Sequence, residues 1–596
     1  MKNKEFATAY SGNKKYSDMK IYLTNKGKRS LKMTMELLGA AFFILHSTFF
    51  ISCSDMLDTE SELVEFEKDN TLNHPTDSVY SVMGIIGKMQ IIADRTILLG
   101  EVRGDLITTT ESASSDLKQL ASFNMSVDNK YNVVSDYYAV INNCNYFLAN
   151  VDTALQRRGR NIFTEEYAAV KAFRAWVYLQ LAQAYGQVPL VTDPVMTEQA
   201  AQQAMELPRK GIAEICEYFI NDLTPYAEVE LPRFGDINGF DSQQFFIPMR
   251  ALLGDLCLWS GHYQEAAKWY HDYLTDKRGA ITLNFSNRIT WSSVSEFLYP
   301  RDSYSVTGTR EMLSFIPMED RVFDGVVSNL ENIFNSTREN NYYFQVEPSI
   351  AMRKLSAAQT YCIEHKTDTE TDTIYAPKQG LVNDILVGDL RLYSNYNLSS
   401  RGTQDPYSEY SSSIQTISKV SRLYIPTYRR TMVYLRYAEA LNRAGFPQSA
   451  FTILKYGICQ ENIIANVDSI EQSLAAPFIS FDANVFPKEE TIGIHSLGSG
   501  DSHVNEYYTL PMPSTSLPTR QDTIDYQIPL VENMIIDEMA LEGAFEGYRF
   551  NDLMRVALRR QDPAYLANPI SQRTGERNET LHSLLMDTKN WYLPLP

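Results

Sequence analysis

The order of apolar and polar residues divides the chain into stretches of different character. From about Asp77 to Leu274, apolar residues recur at steps of three and four, which predicts long amphipathic helices. Between Thr275 and Ser421 no helical period lasts, and short pieces rich in Ser, Asn and Tyr predominate. Helical periodicity returns at Tyr428 to Lys455 and at Glu532 to Arg560, with a polar, loop-like stretch from Glu461 to Ile528 between them. Irregular stretches this long inside a folded protein usually carry function.

One predicted helix has clear end signals. The stretch Thr164 to Tyr185 has helical periodicity, and Thr164 is a candidate N-terminal cap with Glu165 and Glu166 in the first turn. Gly186 follows directly and is expected to end the helix, after which the chain leaves in an extended conformation.

Two helical segments repeat one spacing. Each has a small residue seven positions before a glycine and an alanine five positions after it. Small residues let antiparallel helices approach closely and glycine makes the turn, as in tetratricopeptide repeats. The residues are Gly254, Gly261 and Ala266 in one segment and Ala438, Gly445 and Ala450 in the other.

The N-terminal sequence has a pattern typical of a targeting signal. Leu37 to Ile51 is a mostly apolar run with a basic flank, which is too short for a bilayer span of about 20 residues but suits a signal peptide. Cys53 stands where the run stops, in a setting that resembles a bacterial lipobox, so we expect cleavage before Cys53 and its lipidation. The start site stays open among Met19, Met33 and Met35 and the first residue.

We therefore divide the chain into five parts. The acidic stretch after Cys53 is expected to be a flexible tether, since Ser54 to Glu67 is rich in Asp and Glu. The parts are a signal peptide (1–52), a lipidated tether (53–76), an N-terminal helical region (77–274), an irregular region with the candidate ligand surface (275–427) and a C-terminal helical region with inserted loops (428–596).

Composition narrows the class of protein. Of the 596 residues 44% are hydrophobic and 21% charged, which excludes disorder, collagen and a multi-span membrane protein. Loss of a leader with nine basic and three acidic residues shifts the net charge from −19 to −25. That balance argues against nucleic acid as a partner and suits a neutral ligand. Aromatic residues make up 12% of the chain, so the question is whether they serve the core or a binding surface.

No motif for catalysis or a cofactor is present in the sequence. HExxH, GxSxG, GxxxxGK[ST] and GxGxxG signatures are absent, and no two histidines stand close enough for a local metal site. Five scattered cysteines remain after the leader, and we expect buried free thiols. The oxygen atoms of Asp368, Glu370 and Asp372 are candidate calcium ligands. We favour the alternative, in which these residues lie in a solvated acidic loop.

Five stretches in order resemble the SusD/RagB family of nutrient-binding surface lipoproteins. They are Cys53 with Asp58 and Glu60; Tyr137 to Asn150; Ala168 to Leu190, with Arg174, Tyr178, Gly186 and Pro189; Tyr434 to Gly445, with Gly388 to Arg391 upstream; and Glu542 to Val556, with Glu546, Gly547, Arg549, Asp552 and Arg555. The closing Trp591 to Pro596 also resembles the family's end.

The resemblance implies a fold and a role. The fold would be mainly α, a right-handed superhelix of about four tetratricopeptide-like helix pairs with a large irregular ligand-binding region packed on it. The protein would be anchored by lipid in the outer membrane facing outward, without a cofactor and without enzymatic activity. It would capture an oligosaccharide for a SusC-like TonB-dependent transporter. Peptide or another nutrient is the alternative ligand, and a scaffold or enzyme outside transport is a third reading.

The candidate ligand residues are aromatic and lie in the irregular region, because sugar rings present flat CH faces that stack on aromatic rings. They are Trp291, Tyr299, Tyr304, Tyr342 and Tyr343. By contrast, Trp176, Trp259 and Trp269 fall within helical patterns and are expected to pack, and Trp591 to dock the chain end. The segment Glu111 to Asn129, where family members often carry a ligand loop, has Phe123 but no Trp or Tyr.

The family's arginines are expected to be structural. Arg174, Arg549 and Arg555 would pair with carboxylates such as Glu546 or Asp552, across packed elements, because the guanidinium binds a carboxylate through two parallel hydrogen bonds.

Overall fold

The computed structural model describes residues 75–276, 280–284, 288–289, 311–322, 324–335, 344–376, 381–382, 385–386, 388–400, 413–417 and 419–595. The chain divides into two units, Met1–Ser52 and Cys53–Pro596, and all of these residues belong to the second.

The N-terminal region is a succession of helices, as predicted. Helices α3, α4, α6, α7 and α8 each pack against the next. The described elements are α1 (Pro75–Glu101), β1 (Ile107–Thr109), α2 (Ser115–Ser122), α3 (Val134–Asn150), β2 (Gln156–Arg157), β3 (Arg160–Asn161), α4 (Thr164–Tyr185), β4 (Val188–Pro189), α5 (Glu198–Met205), β5 (Arg209–Lys210), α6 (Ile212–Leu223), β6 (Asp236–Ile237), β7 (Phe240–Asp241), α7 (Met249–Ser260) and α8 (Tyr263–Leu274).

Helix α4 has the predicted bounds but differs in two respects. Its cap position is held by Phe163, which makes no capping hydrogen bond, so the prediction that Thr164 caps the helix is wrong. Seventeen of its 22 residues are buried, so it is a central core helix and not an amphipathic one. Gly186 ends it at φ 78, in a region that glycine adopts without strain.

The irregular region consists of short strands and short helices. Each described sheet has two antiparallel strands, and two sheets join distant parts of the chain, β1 with β9 and β8 with β16. The elements are β8 (Met312–Pro317), α9 (Leu330–Phe334), β9 (Val346–Pro348), α10 (Ile350–Ala358), β10 (Tyr361–Lys366), β11 (Thr371–Ala376), β12 (Leu381–Val382), β13 (Ile385–Leu386), α11 (Leu390–Asn395), β14 (Tyr396–Ser400), β15 (Ser413–Ile417) and β16 (Tyr424–Arg429).

The C-terminal region is again helical. Its longest helix begins twelve residues before the predicted start at Glu532, because Thr519 and Asp522 form a capping box and Pro529 is tolerated inside the helix. The predicted helix from Tyr428 begins instead at Arg430, after a strand. The elements are α12 (Arg430–Arg443), α13 (Pro447–Lys455), α14 (Gln460–Asn466), α15 (Ser469–Ala475), α16 (Ser496–Ser499), α17 (Arg520–Gly543), α18 (Arg549–Arg560), α19 (Ala564–Ser571) and α20 (Glu579–Leu585).

The two repeated segments form helix hairpins, α7–α8 and α12–α13, and α8 packs against α12. Gly261 and Gly445 make the turns at φ 88 and 96. At Gly254 a Cβ atom would lie 2.5 Å from the Tyr270 ring, so the absence of a side chain permits the close approach of the hairpin helices. The tetratricopeptide-like interpretation of both segments is confirmed.

A buried network of charges joins the irregular region to the C-terminal helices. We call it the α17 ion cluster, because the Glu538 and Glu542 carboxylates of α17 lie at its centre. Arg391 pairs with Asp389, Glu538 and Glu542, and Arg429 pairs with Glu311, Glu542 and Glu546. Every one of these side chains is at most 3% exposed.

The predicted structural role of the family's arginines is confirmed. Each reaches a carboxylate outside its own helix at 3.0 Å or less, and Arg555 also binds Asp552 on its own helix. Glu546, however, binds Arg429 and Lys419 rather than any of these three. The cross-element pairs are Arg174–Asp222, Arg549–Asp105 and Arg555–Glu439.

The C-terminal end of the chain docks on the N-terminal helices. Trp591 is fully buried, and its indole N–H donates to the Leu585 carbonyl at 2.7 Å. Its own carbonyl accepts a hydrogen bond from the buried Arg103 guanidinium at 2.8 Å, and the Leu593 N–H donates to the Ala184 carbonyl. The prediction that Trp591 anchors the end of the chain is confirmed.

Helix α1 ends against the loop between α17 and α18. The Glu101 carboxylate accepts a hydrogen bond from the Gly547 N–H at 2.9 Å, and its Oε2 atom makes no hydrogen bond within the described part of the chain. Burial raises the pKa of Glu101 to about 7.

The close approach at Gly254 gives a first prediction. Gly254→Ala should lower the free energy of unfolding by about 1–3 kcal/mol, because the new methyl group overlaps a Tyr270 ring whose hydroxyl is held by Asp255 at 2.5 Å. Gly84→Ala in α1 is the matched control, since a Cβ there meets nothing within 4 Å. It should be neutral or stabilising by up to about 1 kcal/mol. Chemical denaturation measures both, and equal effects would contradict the packing argument.

The buried Glu101 gives a second prediction. A folded-state pKa of about 7, above the usual 4.5, means that Glu101 stabilises the fold at low pH and that this contribution is lost as pH rises through 7. Glu101→Gln keeps the acceptor for Gly547 but cannot ionise. Relative to the wild type, the variant should therefore gain stability between pH 5 and 8, on the order of 2–3 kcal/mol. Denaturation curves across this range measure it, with the exposed Glu489→Gln as control; a pH-independent difference would contradict the assignment.

Candidate functional site

The residues that the sequence singled out for lipidation and ligand binding lie outside the described residues. They are Cys53, Trp291, Tyr299, Tyr304, Tyr342 and Tyr343. Their roles stay predictions.

The β1–β9 ladder brings together two segments that the sequence treats separately. The Thr110 hydroxyl donates to the Phe344 carbonyl at 2.7 Å, and the Ser114 N–H donates to the Gln345 side-chain oxygen at 2.9 Å. Residues 111–129 thus begin beside the described end of the Tyr342–Phe344 aromatic cluster. Phe123 does not serve as a surface platform, since it packs against Phe550 with ring centroids 5.7 Å apart.

A pair of tyrosines forms an exposed aromatic corner on the described surface. Tyr375 lies on β11 and Tyr507 follows α16, and their ring centroids are 5.2 Å apart with an interplanar angle of 74°. Tyr507 is 72% exposed, the largest fraction among the exposed aromatic residues described. We call this pair the tyrosine corner. Tyr507 lies mostly in solvent, and the half-buried Tyr375 ring lies beside it.

Buried polar contacts fix the backbone that carries Tyr507. The Asn505 side-chain oxygen accepts hydrogen bonds from the Tyr507 and Tyr508 N–H groups at 2.9 and 3.3 Å. Its amide nitrogen donates to the Thr360 carbonyl, and its own carbonyl accepts from the Lys455 ammonium at 2.8 Å. The Glu506 N–H donates to the Tyr375 hydroxyl at 3.2 Å, which joins the two halves of the corner. The exposed rings therefore stand on a preorganised support.

A second aromatic layer lies beneath the corner. The Tyr508 ring stacks on the His495 imidazole at 3.7 Å with an interplanar angle of 2°, and on Phe451 at 5.6 Å. His495 in turn binds Glu538 of the α17 ion cluster at 2.5 Å. The same cluster that joins the two regions of the fold thus supports the surface that presents Tyr507.

Sequence analysis missed the tyrosine corner. Tyr507 lies in the stretch from Glu461 to Ile528, whose pattern predicts only a polar loop. Tyr375 lies just after the acidic stretch that is the candidate calcium site. The available signal was the run Asn505 to Tyr508, since an asparagine side chain that binds the backbone two residues on is a common turn device. Nothing in the sequence shows that Tyr375 and Tyr507 meet.

The described residues contain no group of three or more His, Cys, Asp or Glu side chains placed to hold a metal ion. Asp368, Glu370 and Asp372 are exposed on the β10–β11 hairpin. The five cysteines downstream of Cys53 are free and buried, as predicted, and burial raises the pKa of Cys144 to about 12. Among the described helices, none is long and apolar enough to cross a membrane.

Comparison with solved structures establishes the fold. A SusD superfamily protein from Bacteroides vulgatus has 14% sequence identity and a TM-score of 0.53, over 88% of this chain and 96% of that chain. A SusD homolog from Bacteroides thetaiotaomicron has 15% identity and a TM-score of 0.50, over 87% and 94%. Neither protein-family models nor curated proteins match the sequence. The chain has the SusD-superfamily fold, as its sequence resemblance implies.

The support beneath the corner gives a third prediction. Asn505→Ala removes a 1%-exposed side chain that binds three backbone groups and should lower the free energy of unfolding by about 1–3 kcal/mol. Tyr507→Ala should change stability by less than about 0.5 kcal/mol, because the ring is mostly in solvent. Thermal unfolding of the two variants checks the pair, and a larger loss for Tyr507→Ala would mean that the ring is structural.

Proposed function

We propose that the protein is a cell-surface glycan-binding lipoprotein of the SusD/RagB type, without enzymatic activity. Its oligosaccharide ligand is delivered to a SusC-like TonB-dependent transporter in the outer membrane, to which Cys53 tethers it through lipid. The SusD-superfamily fold supports this proposal together with the lipobox-like setting of Cys53 and the aromatic clusters at Trp291 to Tyr304 and Tyr342 to Phe344.

The observation that carries ligand binding is the tyrosine corner. A pyranose ring has a polar rim of hydroxyls and apolar CH faces, so it loses little when a face is covered by an aromatic ring and gains from the contact. Tyr507 offers such a face, and Tyr375 lies at its side to meet the rim of the same sugar. An aromatic residue on a hydrogen-bonded support loses little conformational entropy when it binds a ligand.

The charged residues around the tyrosine corner limit the class of glycan that can bind there. Glu364 near the corner is paired with Lys366 at 3.0 Å and lies 3.7 Å from the His503 imidazole, and Glu506 and Asp372 are exposed. Together with the net charge of −19, this surrounding favours a neutral glycan over one rich in uronic acids or sulfate.

The proposal predicts that Tyr507→Ala weakens glycan binding at least about tenfold, the loss expected for an exposed stacking anchor. Affinity electrophoresis against a panel of neutral and acidic polysaccharides first identifies a binder, and isothermal titration calorimetry with its oligosaccharides then compares variants. Tyr526→Ala on α17 is the matched control, since Tyr526 is 40% exposed and lies outside the corner.

Trp291→Ala and Tyr342→Ala test the sequence-predicted clusters in the same titration. If they abolish binding while Tyr507→Ala does not, the ligand lies on those clusters and the corner is not the site. If no polysaccharide binds the wild type, glycan capture is wrong.

A further inference from the structure

A second cleft lies away from the tyrosine corner in sequence and has different chemistry. It is formed by one face of α1 from Met83 to Ile91, the turn between β6 and β7, Pro317 to Arg321, and Asp324 to Val326. Its volume is about 790 Å³, within the range of sites for small ligands. We call it the α1 cleft.

The floor of the α1 cleft is apolar, and its aromatic rings pack against other aromatic side chains. The Phe240 ring contacts Phe315 and Tyr424 edge-on at 5.0 and 6.2 Å, and Phe245 contacts Phe315 at 5.4 Å. The mouth also carries exposed apolar side chains, since Ile91 and Leu423 are 38% and 39% exposed and both line the cleft. A ligand with a large apolar group would remove this surface from water.

Hydrogen bonds connect the wall opposite α1 to the helix. The Gln90 side chain donates to the Pro317 carbonyl at 2.8 Å and accepts from the Val326 N–H, so it joins both ends of the segment after β8 to the helix. Asp94 accepts hydrogen bonds from the Ser328 hydroxyl and the Asn329 N–H at 2.6 and 2.8 Å. These hydrogen bonds link the two sides of the cleft.

Two opposite charges line the cleft without a described partner, Lys88 on α1 and Glu319 after β8. The other charges near the mouth are already paired, Arg321 with Asp324 at 2.6 Å and Arg422 with Asp320 at 2.8 Å. Neither the Lys88 ammonium nor the Glu319 carboxylate makes a hydrogen bond or ion pair with any described residue.

From this juxtaposition we propose that the α1 cleft binds a short peptide, with an apolar side chain on the Phe240 floor and its two charged ends at Lys88 and Glu319. A zwitterionic peptide satisfies both unpaired charges at once, and its side chain covers the exposed apolar surface. A neutral sugar would leave both charges unpaired, and the Gln90 amide already makes hydrogen bonds to Pro317 and Val326. This site is independent of the glycan proposed for the tyrosine corner.

The test titrates the full mature chain with the tripeptide Ala-Phe-Ala, followed by isothermal titration calorimetry. We expect saturable binding that is at least about tenfold weaker for Ala-Ser-Ala, which lacks the apolar group, and for the N-acetylated, C-amidated Ala-Phe-Ala, which lacks the charges. Lys88→Gln and Glu319→Gln should each weaken Ala-Phe-Ala binding about tenfold. Neither should alter the melting temperature, because neither side chain has a described partner.

The matched control is Lys354→Gln, an exposed lysine on α10 without a described partner, which should leave peptide affinity unchanged. Absence of Ala-Phe-Ala binding at millimolar concentration would overturn the proposal, and so would binding that Lys88→Gln and Glu319→Gln leave intact. Lys88→Gln should also leave glycan affinity unchanged, so failure of this proposal and failure of glycan capture are distinguishable.

Discussion

The architecture depends on the burial of guanidinium and carboxylate groups in the α17 ion cluster. Arg391 comes from the irregular region, Arg429 from the end of β16 at its border, and Glu538 and Glu542 from α17, so the network is complete only when the two regions meet. Desolvating such charges is expensive, and a buried pair often contributes little net stability against an apolar replacement. Each group left without its partner would nevertheless be strongly unfavourable. The cluster therefore favours the arrangement of the two regions in which each of these charges meets its partners.

The contacts of the α17 ion cluster extend to the surface of the protein. His495 binds Glu538 in the cluster and stacks on Tyr508, and Asn505 holds the backbone from Tyr507 to Tyr508. The exposed Tyr507 is thus connected to Glu538 of the α17 ion cluster through Tyr508 and His495. An aromatic residue on a loop is rigid only when the loop is, and here rigidity comes from polar groups in the interior and not from a regular element.

The sequence predicted those parts of the fold that rest on local pattern. Thr164 to Tyr185 was found within its bounds, and Gly254 and Ala438 marked both hairpins, because helical periodicity and close helix approach leave signs within a dozen residues. The start of α17 was missed, since Pro529 interrupts the expected pattern while the capping box at Thr519 and Asp522 is short and polar. The tyrosine corner was missed for a different reason: Tyr375 and Tyr507 are joined only by tertiary contacts, about 130 residues apart. Arg429 and its partners Glu311 and Glu542 were likewise invisible, because the burial of an ion pair depends on neighbours from three separate parts of the chain.

The docking of the chain end bears on how the protein folds. Arg103 near the beginning of the described chain binds the Trp591 carbonyl, Asn132 binds the Pro594 carbonyl, and Ala184 of the central helix binds Leu593. These contacts span more than 400 residues, and contacts of such separation form late because long loops must close first. The N-terminal region therefore gains these three hydrogen bonds only when the last residues of the chain are in place. Loss of the last residues would therefore leave the Arg103 guanidinium, the Asn132 amide and the Ala184 carbonyl of the N-terminal region without these partners.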